Sequence, residues 1–162
     1  MKDEHIELFI ESVVSVFGTM LGCEVKRKEP YLKDGSQATC EVSGVISLSG
    51  KAKGTVVLSL EREVALCATE ALLMQRPDGI NADVTDAIGE LTNMIAGSAK
   101  AKLEEYELSV GLPNVVTGSG HCINFPTESP PVCIPFECEW GTVVVEVGLV
   151  VDPPQGTESQ AV

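Results

Sequence analysis

At 162 residues the chain is long enough for one domain with a sizeable core, and 44% of it is hydrophobic although aromatics are few. Twenty-four acidic against eleven basic residues give a net charge of −13, which opposes binding to a nucleic-acid backbone, where affinity rests on Lys and Arg clusters. No apolar run approaches the roughly 20 residues of a membrane span, and the acidic start Met1-Lys-Asp-Glu-His-Ile-Glu-Leu8 lacks the layout of a signal peptide, so a cytoplasmic protein is expected.

Residues 3–22 carry Ile6, Phe9, Ile10, Val13, Val16, Phe17 and Met20 at helical spacing, and Gly22 is placed to end that helix. Strand-like segments follow at 24–33, 38–48 and 53–60, with Gly35 between the first two and Gly50-Lys51 as a hairpin turn between the last two. The short basic run Lys26-Arg-Lys28 reads as the exposed end of a strand. A second helix over 62–76 turns Val64, Ala65, Ala68, Leu72 and Leu73 inward and is stopped by Pro77-Asp-Gly79. The third begins near 81–86, with Asn81 and Asp83 as candidate N-caps, and runs to about 106. Further strands are predicted at 113–118, 121–125, 131–139 and 142–151, the last being the strongest strand pattern in the chain. Residues 126–131 read as a Pro-rich loop, and 153–162 as a frayed tail beyond a single domain over 1–152. This order predicts an α+β fold, a largely antiparallel sheet with helices packed on one face.

The third helix holds the most informative stretch, Asp86-Ala-Ile-Gly-Glu-Leu-Thr-Asn-Met-Ile-Ala-Gly97. At about 100° per residue, Asp86, Glu90, Asn93 and Gly97 project within a sector of roughly 60°, opposite Val84, Ile88, Leu91, Ile95 and Ala99. Glu90 is the only charge between Asp86 and Lys100 and is surrounded by Gly89, Ala96, Gly97, Ser98 and Ala101. A face meant for water alone normally carries Lys, Glu and Arg. Each helical glycine also costs about 1 kcal/mol relative to alanine. A low strip with one carboxylate and one amide suits the close approach of another surface. Spaced i and i+3, the Glu90 and Asn93 side chains lean the same way and can act on one object. Asn93 does not titrate, but it can donate and accept hydrogen bonds at once and so orient a water molecule, while Glu90 can pair with a cation. On periodicity alone the plainer reading, a solvated pair on an amphipathic helix, is the favoured one.

Other chemistry finds little support. No phosphate-binding glycine loop, dinucleotide turn, zinc-protease helix or serine elbow occurs. His5 lies at the start of the first helix as a solvated residue, and His121 at a strand start in a structural role. A Ser–His or Cys–His pair is possible only through His121, and nothing in the sequence positions one. The six cysteines contain no Cys-x-x-Cys pair, and His121-Cys122 would point to opposite faces of a strand, so small buried thiols are expected and no metal site.

The stretch from Asp86 to Gly97 resembles the Glu-x-x-Asn signature helix of the CheC/CheX/FliY family, phosphatases acting on the aspartyl phosphate of CheY-type response regulators. Val42-Ser-Gly-Val-Ile-Ser-Leu-Ser-Gly50 with Lys53-Gly-Thr-Val-Val-Leu-Ser59 resembles the family's central hairpin. Leu112-Pro-Asn-Val-Val-Thr-Gly118 is similar to its segment after the long helix, and Phe136-Glu-Cys-Glu-Trp-Gly141 to its C-terminal hairpin. The similarity covers nearly all of 6–151 and is closest to the CheX-like branch. In the first helix Glu7 is followed by Ile10 and Glu11 by Val14. The second Glu-x-x-Asn copy of CheC-type members is therefore missing, leaving one site per chain.

The resemblance implies a CheX-like fold, a homodimer joined through sheet strands, and a phosphorylated CheY-type receiver as partner. It implies no cofactor in this chain, the Mg²⁺ being expected in the receiver's active site. Asn93 would hold a water in line with the departing aspartate oxygen, and Glu90 would pair with the receiver's lysine. Bulk at Gly89, Ala96 or Gly97 would keep the helix out of the receiver's cleft. Asp86 would help docking or, as a first-turn acid, favour the helix dipole. The alternative is a non-catalytic docking module for a receiver or a flagellar switch component.

Overall fold

In the computed structural model, which describes residues 1–35, 40–125 and 130–151, the helical spacing of Phe9, Ile10, Val13 and Val16 yields α1 (Asp3–Val16) with those side chains buried. One wider π-helical turn, Phe17–Leu21, continues it, and Gly22 ends it at φ 61°, in the left-handed region that glycine tolerates. His5 is buried rather than solvated: its ring meets Tyr106 edge to face, and its Nε2 lies 3.2 Å from the Tyr106 hydroxyl.

The strand expected over 24–33 is instead two short pieces, β1 (Lys26–Arg27) and β2 (Tyr31–Leu32). Pro30 between them has no N–H for a continuous ladder. The basic run is exposed as expected. Arg27 donates to both Glu7 carboxylate oxygens at 2.7 Å, and Lys28 pairs with Glu137.

The hairpin forms as predicted from β3 (Val42–Ser49) and β4 (Ala52–Leu60) about Gly50-Lys51. α2 (Arg62–Leu73) stops short of the proline signal, because Met74 turns left-handed at φ 60° and its N–H donates to the Glu70 carbonyl. α3 (Ala82–Ala101) is capped by Asn81, whose side-chain oxygen accepts from the Val84 N–H at 3.2 Å. It ends at Ala101, not near 106. A separate 3₁₀ turn, Glu104–Tyr106, follows it, and Leu103 between the two is buried. Beyond lie β5 (Ser109–Val110), which the sequence did not announce, β6 (Asn114–Thr117), β7 (Val132–Cys138) and β8 (Gly141–Val151). The strand expected at 121–125 is absent apart from a single bridging residue at Cys122. The expected tail at 153–162 and most of the loop at 126–131 lie outside the described residues.

The strands form one antiparallel sheet in the order β1-β7-β8-β4-β3-β5, with β2 also on β7 and β6 also on β3. Alternate residues face the helices. Val42, Ile46, Val56, Leu58, Ile134, Phe136, Val143 and Val145 join the apolar sides of α1, α2 and α3 in one core. This is the predicted α+β arrangement.

The other face is not open to water. Ser43, Val57, Ser59, Cys133, Val144 and Glu146 are buried there, outside the helix-side core. The segments around Lys33, Cys40 and His121 reach over it. Lys33 donates to Glu146 at 2.6 Å, His121 meets Ser43, and the Cys40 N–H donates to the Ser59 hydroxyl.

Candidate functional site

The apolar side of α3 is held firmly. Val84, Ile88, Leu91, Ile95 and Ala99 are fully buried, and Thr92 beside them donates to the Ile88 carbonyl at 2.7 Å. A helix fixed along this much of its length presents its other side in a defined orientation. On that side Asp86, Glu90 and Asn93 are exposed. Among the described residues none of the three has a hydrogen-bond or ion-pair partner.

Several other helical carboxylates are engaged. Glu7 binds Arg27, Glu11 binds Lys102, and Glu63 binds Arg76, which holds the Glu63 carboxyl below the usual carboxylate range. Glu90 and Asn93 are a polar pair, one turn apart, that the other described residues leave unused.

The four small or acidic residues expected around this pair divide. Asp86 is exposed on the same face, and Gly97 is half-buried with no atom within 4 Å of where a Cβ would stand. Bulk at Gly97 would therefore point into open space in front of the helix. Gly89 and Ala96, in contrast, are buried. A Cβ on Gly89 would meet Pro113 and Val115 at 3.6 Å, and Ala96 belongs to the helix-side core. The low strip is narrower than the sequence predicts, since neighbouring segments cover its margins.

The contact at Gly89 also creates a groove. Between α3 and the 113–115 segment lies a depression of about 420 Å³ lined by Asp86, Gly89, Glu90, Pro113, Asn114 and Val115 among others. A larger groove of about 550 Å³ lies at the opposite sheet edge, against Glu7, Arg27, Tyr31 and Val132, and includes no residue of α3. The smaller one shares Glu90.

The structure does bring together a serine and a histidine that no spacing in the chain joins. His121 Nδ1 lies 2.7 Å from the Gly118 carbonyl, to which it donates, and Nε2 lies 2.8 Å from the Ser43 hydroxyl. Ser43 is fully buried and in turn 3.2 Å from Ser59. This chain ties a loop to the sheet and offers no exposed nucleophile. Of the six thiols expected to be buried only Cys23 and Cys133 are; Cys40, Cys67 and Cys138 are partly buried and Cys122 is exposed. Burial pushes Cys23 up to about 12 and Cys40 and Cys133 to about 11, so all three are protonated at neutral pH. Among the described residues no group of three His, Cys, Asp or Glu side chains is placed to hold a metal ion. No helix there is long and apolar enough to cross a membrane.

Comparison with known proteins gives the chain's relatives. The family model for the chemotaxis phosphatase CheX matches residues 42–137, which span the central hairpin, α3 and most of β7. The CheY-P phosphatase CheX of Thermotoga maritima is 29% identical over 121 residues, covering 73% of this chain and 78% of that protein. The crystal structure of the chemotaxis protein CheX from Desulfovibrio desulfuricans is 33% identical, covers 91% of this chain and 99% of its own, and superposes with a TM-score of 0.84. A CheX-CheY-BeF3-Mg complex from Borrelia burgdorferi is similar in fold, at 23% identity and a TM-score of 0.77 over 90% of this chain and 97% of its own.

Proposed function

The chain belongs to the family of the chemotaxis phosphatase CheX, and from that premise we propose that it hydrolyses the aspartyl phosphate of a CheY-type response regulator. Asn93 orients the attacking water, and Glu90 pairs with the receiver's lysine. The observation that carries this reading is the exposed Glu90 and Asn93 pair, without a partner among the described residues, on a helix whose far side is wholly buried. The relative from Thermotoga maritima, named a CheY-P phosphatase, supports the same substrate class.

Phosphoryl transfer to water passes through a loose transition state, so catalysis is mostly positioning and charge stabilisation. The water oxygen bonds to phosphorus as the bond to the aspartyl oxygen breaks. Inorganic phosphate leaves, and the receiver's carboxylate is restored. A carboxamide suits the positioning role because it accepts from one water hydrogen while staying uncharged beside the phosphoryl oxygens. The receiver's own Mg²⁺ and lysine supply the countercharge, and this chain brings no metal to the reaction. On the same reading the protein works in the cytoplasm, as a homodimer joined through a sheet edge. β1 and β2 form one edge of the sheet and β5 and β6 the other, and Tyr31, Leu32 and Val116 are exposed there.

The test is the decay of a phosphorylated CheY-type receiver with and without the protein. Faster decay, releasing inorganic phosphate, is expected. Unchanged decay across the receivers of the same organism would overturn hydrolysis and leave a docking module.

A further inference from the structure

A singly exposed leucine needs no explanation, but Leu112 is 89% exposed and directly precedes Pro113, which lines the groove that contains Glu90. Its position is fixed from both sides. The Gly111 N–H donates to the Ser47 carbonyl at 2.9 Å, and Asn114 pairs in register with Val45. Pro113 and Val115 rest against α3 where Gly89 has no side chain. The leucine therefore stands on a braced turn, so ordering it on contact costs little backbone entropy.

The groove beside it has a definite charge. Asp86 and Glu90 line one wall, Asn114 the other, and no Lys or Arg lies among its lining residues. Such a groove favours a cation and repels a free anion. An apolar knob flanking a small acidic groove matches a surface that offers a basic side chain next to an apolar patch.

Resting on the function proposed above, we propose that the segment Leu112–Asn114 is the second half of the receiver-docking surface, with Leu112 as its apolar anchor and Asn114 and Asp86 as its polar rim. The occupant is the phosphorylated receiver domain itself, seated by one cation in the groove and one apolar patch over Leu112. These residues flank the reacting groups without supplying any of them. They set affinity and not the chemical step.

Dephosphorylation kinetics over a range of phosphorylated receiver concentrations test this directly, comparing the wild type with Leu112→Ser and Asp86→Asn. Leu112→Ser is expected to raise KM about tenfold, as loss of a modest interface anchor does, with kcat kept. Asp86→Asn is expected to raise KM less and to flatten its dependence on ionic strength. An unchanged KM for Leu112→Ser, or a fall in its kcat at unchanged KM, overturns the inference while leaving the phosphatase reading in place. A wild type that does not speed decay overturns that reading, and this inference falls with it.

Discussion

Thr92 and Gly44 lie so close that a Cβ on Gly44 would stand 1.9 Å from the Thr92 hydroxyl oxygen. The long helix meets strand β3 at the one point where the strand has no side chain, and Thr92 fills the space. Because Thr92 lies between Glu90 and Asn93 in sequence, the rotation that buries it turns those two outward. Gly44→Ala should push the helix off the strand. We expect a loss of about 1–3 kcal/mol, typical of overpacking, together with reduced receiver dephosphorylation. Thr92→Ala in the same chain should recover part of both, since the remaining approach, to the Thr92 Cβ, is 3.0 Å. Urea denaturation and the phosphatase assay on the single and double variants check this, and full stability in Gly44→Ala would show that the contact does not set the helix.

That contact marks where sequence reading ends. The two faces of α3 were legible because a helix writes its burial at a period of 3.6, and Val84, Ile88, Leu91, Ile95 and Ala99 are buried as that period requires. Gly44 gave no such signal, since its meaning lies in a residue 48 positions on. Gly89 and Ala96 were misplaced for a related reason. Angular position locates a residue on the helix, but the segments that return to cover its margins are set by tertiary contacts. The buried second face of the sheet was illegible as well. Nothing in the pattern of the last strand pairs Glu146 with Lys33, which lies in a segment of no regular structure 113 positions away.

Asn93→Ala should lower the dephosphorylation rate on the order of 10²-fold or more, if holding the water in line is the main catalytic term. Its stability should stay near that of the wild type, because the side chain is exposed and has no partner among the described residues. Glu90→Ala should raise KM for the receiver as well as slow turnover. Stopped-flow decay of phosphorylated receiver separates the two. Wild-type turnover in Asn93→Ala would remove it from the reaction, and an unchanged KM in Glu90→Ala would remove the lysine pairing.

The Lys33–Glu146 pair calls for a different experiment. Both side chains are almost entirely buried, and the Lys33 ammonium also lies 5.9 Å from the centre of the Phe125 ring. Removing Lys33 takes away the countercharge it supplies to a fully buried carboxylate, and breaking a buried pair in this way costs about 3–5 kcal/mol. Lys33→Met should therefore lower the urea midpoint sharply, and more than Arg27→Met, whose pair with Glu7 is exposed and worth about 1 kcal/mol or less. Equal effects of the two substitutions would mean that water reaches the second face of the sheet.

Gly97 should respond with opposite signs in stability and activity. It lies inside α3, one turn beyond Asn93, and a Cβ there would meet no atom within 4 Å. Replacing a helical glycine with a better helix former stabilises by up to about 1 kcal/mol, so Gly97→Arg should raise the thermal midpoint. The same side chain projects from the Asn93 face toward the space the receiver would occupy. Its bulk should hold the helix out of the receiver's cleft and raise KM strongly, while Gly97→Ala should keep most of the activity along with the added stability. Thermal unfolding and dephosphorylation measured on both variants decide the matter. If Gly97→Arg is more stable and fully active, the receiver does not approach along this face of the helix. If it is more stable and inactive while Gly97→Ala works, the missing side chain is there to let the partner in.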